Sequence, residues 1–230
     1  MKIGSLAAYE WMVRTAIRRS VRTGLRGVWV RGAVPSGGAV IAPSHASWWD
    51  GYVLRELAWQ IGQPFTVLMT GRQLANFPFL RFIGAIGDQE LRPALRSLGA
   101  GHWLLVFPEA QIEPLGPLGK LQPGAAWLAQ KSGAPLYPAA LRVVMRGQTQ
   151  PEAYLRFGAP VSSPELEEAL RHELKLLDAE LASSDPEQPL AGYLRMVGSR
   201  SFRADTPSLS ARMLARLTRD WVKDGVVKER

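Results

Sequence analysis

The chain has 230 residues and carries 28 Lys and Arg against 20 Asp and Glu, a formal net charge of +8; at that length one core can bury most of its apolar surface without staples. It has no cysteine and only three histidines, His45, His102 and His172, which excludes disulfides, thiolate catalysis and cysteine zinc sites and argues against a histidine-rich metal centre. The basic excess suits an anionic partner (nucleic acid, lipid headgroups or a phosphorylated small substrate), and eight tryptophans beside it lean toward a membrane surface.

Taken in chain order, Leu6, Tyr9, Met12, Val13, Ile17 and Val21 recur at helical spacing over residues 1–27. Glu10, Arg14, Arg18 and Arg19 interrupt the apolar stretches, so the segment neither spans a membrane nor resembles a secretory signal. A basic amphipathic helix bearing Tyr and Trp fits a headgroup layer and fits docking on its own core equally well. "GVWVRGA" then alternates like a strand, "PSGG" is a turn, and "AVIAPS" is a continuous apolar strand that stops at Pro43. Helical spacing resumes over 50–61. "FTVLMT" (65–70) and "FIGAIG" (82–87) read as short buried strands on either side of "RQLANFPFLR", and 91–100 suits a helix. "HWLLVFPE" (102–109) is the clearest buried strand. "PGAAWLAQKSGA" is a helix closed by Gly133, followed by strands in "PLYPAALRVV" and "AYLRFGAP".

Strands alternating with helices predict an α/β fold: a central mostly parallel or mixed sheet flanked by helices. An amphipathic N-terminal helix (1–27) precedes the α/β core (28–162), and a helical C-terminal extension (163–230) packs on it. Ser162 or Ser163 is placed to cap a helix opened by Pro164 and Glu165. "DPEQP" is a linker, and the chain closes with a basic helix in "SLSARMLARLTRDWVKD".

The segment "SHASWWDGY" (44–52) carries the chemistry. Side chains five apart point about 140° away from each other on a regular helix, so His45 and Asp50 pair only if the chain between them is a loop entering a helix. Pro43 disfavours helix before Ser44, and Ser44 or Ser47 can cap a helix carrying Asp50. The strand before them would deliver His45 to the carboxyl edge of the sheet, where open α/β folds place ligands. A carboxylate on one imidazole nitrogen fixes the tautomer and stabilises the imidazolium, leaving the other nitrogen to deprotonate a hydroxyl.

With "VFPEA" (106–110) downstream, these segments resemble the phospholipid/glycerol acyltransferase family, of the bacterial lysophosphatidate-acyltransferase type, over roughly residues 25–160. Ser44, His45, Ser47 and Asp50 match the family's first motif, N/S-H-x-S-x-x-D. Phe107, Pro108 and Glu109 match its F-P-E-G motif, and Lys120, Pro123 and Gly124 lie in a stretch like its lysine/glycine segment. "APLYPAAL" looks like the family's fourth block.

The resemblance implies acyl transfer from acyl-CoA or acyl-carrier protein to a hydroxyl of a glycerolipid or related lipid. His45 would be the general base, Asp50 its orienter, and Glu109 would hold a hydroxyl or shape the pocket on the acceptor side. The other substrate-side candidates are Ser47, Phe107, Pro108, Arg92, Lys120, Gly124 and Arg72. No metal or redox cofactor is implied, nor is nucleic acid a partner. The implied place is the cytoplasmic face of a membrane, peripheral or monotopic.

The sequence departs from the family where Ala110, Gln111 and Ile112 follow Glu109 in place of Gly, Thr/Ser and Arg. It also departs where Asp88, Gln89 and Glu90 stand near the family's phosphate-gripping arginine. Two acids there would repel a dianion, with Arg92, Lys120 or Arg72 available to compensate. A non-phosphorylated lipid or glycolipid hydroxyl is therefore an acceptor to weigh.

Ser47 lacks a G-x-S-x-G elbow and fits a cap or a support for the pair better than a nucleophile. Trp48 and Trp49 line an acyl channel or pack the core, His102 is structural, and His172 is a solvated helix residue. Two other functions compete: an esterase or thioesterase using water at the same dyad, and a non-catalytic binder of anionic surfaces.

Overall fold

Ala39–Pro43 is buried along its whole length, and the sheet is built around it. In the computed structural model of the chain, residues 3–198 are described, together with the helical positions Met213 and Arg216. Apart from those two positions, the expected terminal basic helix lies outside the described residues. Met1–Ser199 form one compact unit and Arg200–Arg230 a second.

The strands are β1 (Gly27–Arg31), β2 (Ala39–Pro43), β3 (Phe65–Met69), β4 (Ala85–Gly87), β5 (Trp103–Leu105), β6 (Leu136–Val144), β7 (Glu152–Phe157) and β8 (Leu194–Val197). They form one eight-stranded sheet in the order β4-β3-β5-β2-β6-β7-β1-β8. The run from β4 to β6 is parallel, β7 turns back against β6, β1 follows β7, and β8 pairs antiparallel with β1. The sheet is therefore mixed, with its parallel half around β2. Its last strand comes from beyond the expected core boundary at 162.

The helices are α1 (Ile3–Gly24), α2 (Asp50–Ile61), α3 (Gly71–Asn76), α4 (Leu91–Gly99), α5 (Gly124–Ser132) and α6 (Leu166–Ser183). Period-two alternation divides the strands between two cores. Ala39 and Ile41 face α1 and α2, whereas Val40 and Ala42 face α4 and α5. A third cluster joins Trp29, Ala140 and Tyr154 to Leu174 and Leu177 of α6. Arg142 pairs with Asp178, and Arg156 with Glu173, so α6 is also tied to β6 and β7 by charge. Its entry is a capping box between Ser162 and Glu165, which selects Ser162 of the two expected caps.

Two expected strands are shorter than their sequence suggests. In "FIGAIG" only Ala85–Gly87 is strand, because Pro78–Ile83 forms a short 3-10 helix that ends at Gly84 with φ +99. A side chain at Gly84 would lie 2.4 Å from the Phe65 carbonyl oxygen, so only glycine fits there. In "HWLLVFPE" strand pairing stops at Leu105, and the rest leaves the sheet edge as a loop. That early departure opens the site.

The amphipathic reading of α1 divides along its length. Val13, Ile17 and Val21 are buried against the core, whereas Leu6, Tyr9, Trp11 and Met12 are exposed on the first turns. Arg18 and Arg22 both pair with the buried carboxylate of Glu56. The second half of the helix is thus docked, and its beginning presents apolar surface.

Candidate active site

β2 ends at Pro43, and Ser44 pins the chain as it leaves the sheet. The Ser44 N–H donates to the Ala139 carbonyl at 3.0 Å. Its hydroxyl donates to the Leu141 carbonyl at 3.2 Å and accepts the Leu141 N–H at 3.0 Å. Ser44 therefore holds β2 to β6 and caps nothing.

Residues 46–49 form the turn into α2, whose first residue is Asp50. Asp50 Oδ2 accepts the N–H groups of Ala46 and Ser47, each at 2.9 Å, and meets His45 Nδ1 at 2.9 Å. The aspartate thus closes the turn itself, while Ser47 Oγ supports it by accepting the Trp49 N–H at 3.2 Å. Asp50 is 1% exposed and begins α2. Its other oxygen, Oδ1, is buried without a hydrogen-bond partner.

The carboxylate on Nδ1 keeps the proton on that nitrogen and leaves Nε2 as the basic lone pair. No protein group bonds Nε2 among the described residues. The ring lies 3.9 Å from the Phe107 ring centroid to centroid, stacked at 24°.

Glu109 holds the same loop from the other side. Its Oε2 accepts the His45 N–H at 2.7 Å and its Oε1 accepts the Gly119 N–H at 2.9 Å. The loop is closed further by the Glu113 N–H on the His45 carbonyl at 2.8 Å and the Gln122 N–H on the Pro108 carbonyl at 2.7 Å. Glu109 is buried and is not among the residues lining the cavity. It holds the backbone of His45, whereas the resemblance implied that it would hold a hydroxyl or shape the pocket on the acceptor side.

His45 opens onto a cavity of about 580 Å³, in the size range of small-ligand sites. It lies at the carboxyl ends of β2, β5 and β3, where the turn after Pro43, the loop after Val106 and Thr70 converge. Its lining draws on both cores, with Tyr52, Phe65, Leu80 and Ile83 on the α2 side and Leu68, Val106, Ala125 and Leu128 on the α5 side. Trp48, Leu91, Ile112 and Trp127 line it while remaining well exposed, so its rim is apolar.

Of the substrate-side candidates, Phe107, Pro108 and Gly124 line this cavity. Ser47, Arg72, Arg92 and Lys120 do not, although Thr70, Gln73, Leu91 and Gln122 beside the last three do. The three cations are exposed on segments that flank the opening. Of the two acids expected to repel a phosphate, only Asp88 lines the cavity. Glu90 accepts the Gly87 N–H at 2.6 Å and pairs with Arg81, and these bonds hold its carboxyl below the usual range.

Trp48 lines the cavity, whereas Trp49 packs against the core, dividing the expected pair. His102 meets Thr66 Oγ1 at 3.1 Å, away from the site, and His172 is exposed on α6, both as expected. Sequence reasoning missed Tyr52 and Arg55. They follow Trp48 on one face of α2 at a spacing of four and three, a signal that ordinary core packing also produces. No three His, Asp or Glu side chains are grouped as a metal would need among the described residues.

Ala110 adopts φ +59, a left-handed conformation that a non-glycine residue holds at a cost. This is the position at which the resembled motif has glycine. Replacing Ala110 with Gly is expected to raise the unfolding free energy by about 1 kcal/mol. Urea midpoints measure it, and a lower midpoint with an unchanged slope would contradict the strain.

A sequence model of the Acyltransferase family matches residues 27–142, the segment from β1 into β6. The chain is 29% identical over 159 residues to "1-acyl-sn-glycerol-3-phosphate acyltransferase" from Pseudomonas aeruginosa, covering 62% of this chain and 56% of that one. It thus spans little more than half the length of that curated relative. Among solved structures it is similar to the 1-acyl-sn-glycerophosphate (LPA) acyltransferase PlsC from Thermotoga maritima, with 20% identity and a TM-score of 0.49 over 78% of this chain and 80% of that one. The family match covers half of the chain, including both segments that meet at His45, and the chain belongs to the Acyltransferase family.

Proposed function

We propose that this protein transfers a fatty acyl group from a thioester donor, acyl-CoA or acyl-carrier protein, to a hydroxyl of a glycerolipid or related lipid. The observation that carries this reading is the 2.9 Å contact of His45 Nδ1 with Asp50 at the mouth of an apolar cavity. His45 Nε2 takes the hydroxyl proton as the acceptor oxygen bonds to the thioester carbonyl carbon. The tetrahedral intermediate then expels the thiolate, breaking the C–S bond, and the sulfur takes the proton back from the imidazolium. Asp50 holds the ring and stabilises its cationic form at each turnover. Phe107 fixes the ring plane, and Glu109 fixes the backbone beneath it.

The apolar lining suits an acyl chain. Arg72, Arg92 and Lys120, flanking the opening, suit the phosphates of a donor or acceptor headgroup. Thiol release from an acyl-CoA in the presence of lysophospholipid, monoacylglycerol or glycolipid acceptors tests the reading. Release should require an acceptor, and His45→Ala should abolish it. Release that ignores every acceptor and yields free fatty acid would favour the hydrolase reading.

The exposed rim and the first turns of α1 support a membrane-surface site, the mouth and Leu6, Trp11 and Met12 entering the headgroup layer. No helix among the described residues is long and apolar enough to cross a membrane. Changing Leu6, Trp11 and Met12 together to Ser is expected to weaken partition onto anionic phospholipid vesicles by about tenfold or more. Flotation of the folded variant measures this, and unchanged partition would remove α1 from the contact.

A further inference from the structure

On the α2 side the cavity is walled by Phe65, Leu80, Ile83 and Ala85, yet Arg55 lines it too. From Met69 at the carboxyl edge to Phe65 the strand covers roughly 13 Å, at about 3.3 Å per residue. Arg55 sits at the far end of that path. Its guanidinium carbon lies 4.9 Å from the Phe65 ring centroid and 4.1 Å from that of Trp59. Arg55 is the one Lys or Arg lining the cavity among the described residues.

This cation is poorly satisfied. Its Nε is buried with no hydrogen-bond partner, and among the described residues no carboxylate pairs with it. Two aromatic faces meet it, and Glu10 and Glu56 attract it without pairing with it. Burial pushes its pKa down to about 10, Arg14 adds to that shift, and Glu10 and Glu56 oppose it. It is still protonated at neutral pH.

A plain alkyl chain laid against this group would strip its remaining water and return no hydrogen bond, which is costly for a charge. A chain carrying an oxygen at the same depth would give the guanidinium an acceptor in place of that water, through a bond strengthened by the charge. Tyr52, one helical turn earlier on the same face, adds a hydroxyl-bearing side chain to the same wall.

We propose that Arg55 is a specificity-determining residue of the acyl pocket, selecting acyl groups that carry a hydrogen-bond-accepting oxygen toward their distal end over plain chains that reach the same depth. The proposal rests on the acyl-transfer reading above and adds to it the chemical class of acyl group.

The test compares saturated acyl-CoAs from octanoyl to palmitoyl with their ω-hydroxy counterparts of equal length, in wild type and in Arg55→Met. At chain lengths that reach Arg55, wild type should favour the hydroxylated donor by about tenfold or more in kcat/KM. In Arg55→Met that preference should vanish, and longer plain chains should gain relative to shorter ones. Equal treatment of plain and hydroxylated donors by wild type at every length overturns the proposal. So does a preference that survives in folded Arg55→Met.

The wild-type comparison stands alone if Arg55→Met fails to fold, and Arg55→Lys then retains the charge without the planar fork. The two readings fail differently. If wild type transfers no chain to any acceptor, the acyl-transfer reading has failed and takes the Arg55 assignment with it. Transfer with an indifferent chain profile sinks only the Arg55 assignment.

Discussion

Asp50→Asn is expected to lower the transfer rate by about 10³–10⁴-fold and to leave the fold in place. Asparagine has nearly the same shape, and its amide oxygen can take the place of Oδ2 before the N–H groups of Ala46, Ser47 and His45. Its NH2 then falls where Oδ1 is buried without a partner, so one orphaned polar group replaces another. The turn and the start of α2 should therefore survive. The negative charge does not, and with it would go, in the proposed mechanism, the stabilisation of the imidazolium formed when His45 takes the acceptor proton.

In the proposed mechanism His45 and Asp50 act as one unit, so adding Asp50→Asn to His45→Ala should cost almost nothing more. The measurement is kcat for acyl transfer beside a urea melt of each variant. A folded Asp50→Asn protein working within a few-fold of wild type would mean that Asp50 serves only the turn.

The second large effect falls on Glu109, which touches no cavity. Glu109→Ala leaves the partly buried N–H groups of His45 and Gly119 without acceptors, at an expected cost of about 2–3 kcal/mol in stability. Glu109→Gln should cost less, since its amide oxygen still serves one N–H while its NH2 faces the other, donor against donor. The close fit at Gly119 leaves little room for rearrangement, since a side chain added there would lie 3.1 Å from the Glu109 oxygen.

With Glu109 positioning His45 as proposed, kcat should fall in Glu109→Gln while KM for the thioester stays near wild type. A merely structural role would lower the melting point and spare kcat in the protein that remains folded. Full kcat in folded Glu109→Gln would sink the positioning role. An increase in acceptor KM alone would restore the acceptor-side role suggested by the sequence.

The elements were legible where apolar pattern and punctuation agree. The helix expected over 50–61 is Asp50–Ile61, and Gly133 closes α5 in the left-handed region. Helix caps were less legible, because Ser44, Ser47 and Asp50 all have the chemistry to cap a turn and only their partners distinguish them. Ser44 turned to Leu141 across the sheet, and Asp50 took over the turn. Length was legible least for the strand before Pro108. Periodicity continues through Val106, whereas pairing depends on whether β2 and β3 run on beside it.

By itself, the sequence determined the α/β class, the break at Pro43 and the pairing of His45 with Asp50, because each depends on residues close together in the chain. Only the tertiary structure decided what Glu109 does, which cations stand back from the cavity, and that Arg55 reaches into it. Those answers depend on contacts between residues far apart in sequence, such as Glu109 on His45, and strand order rather than local pattern brings such residues together.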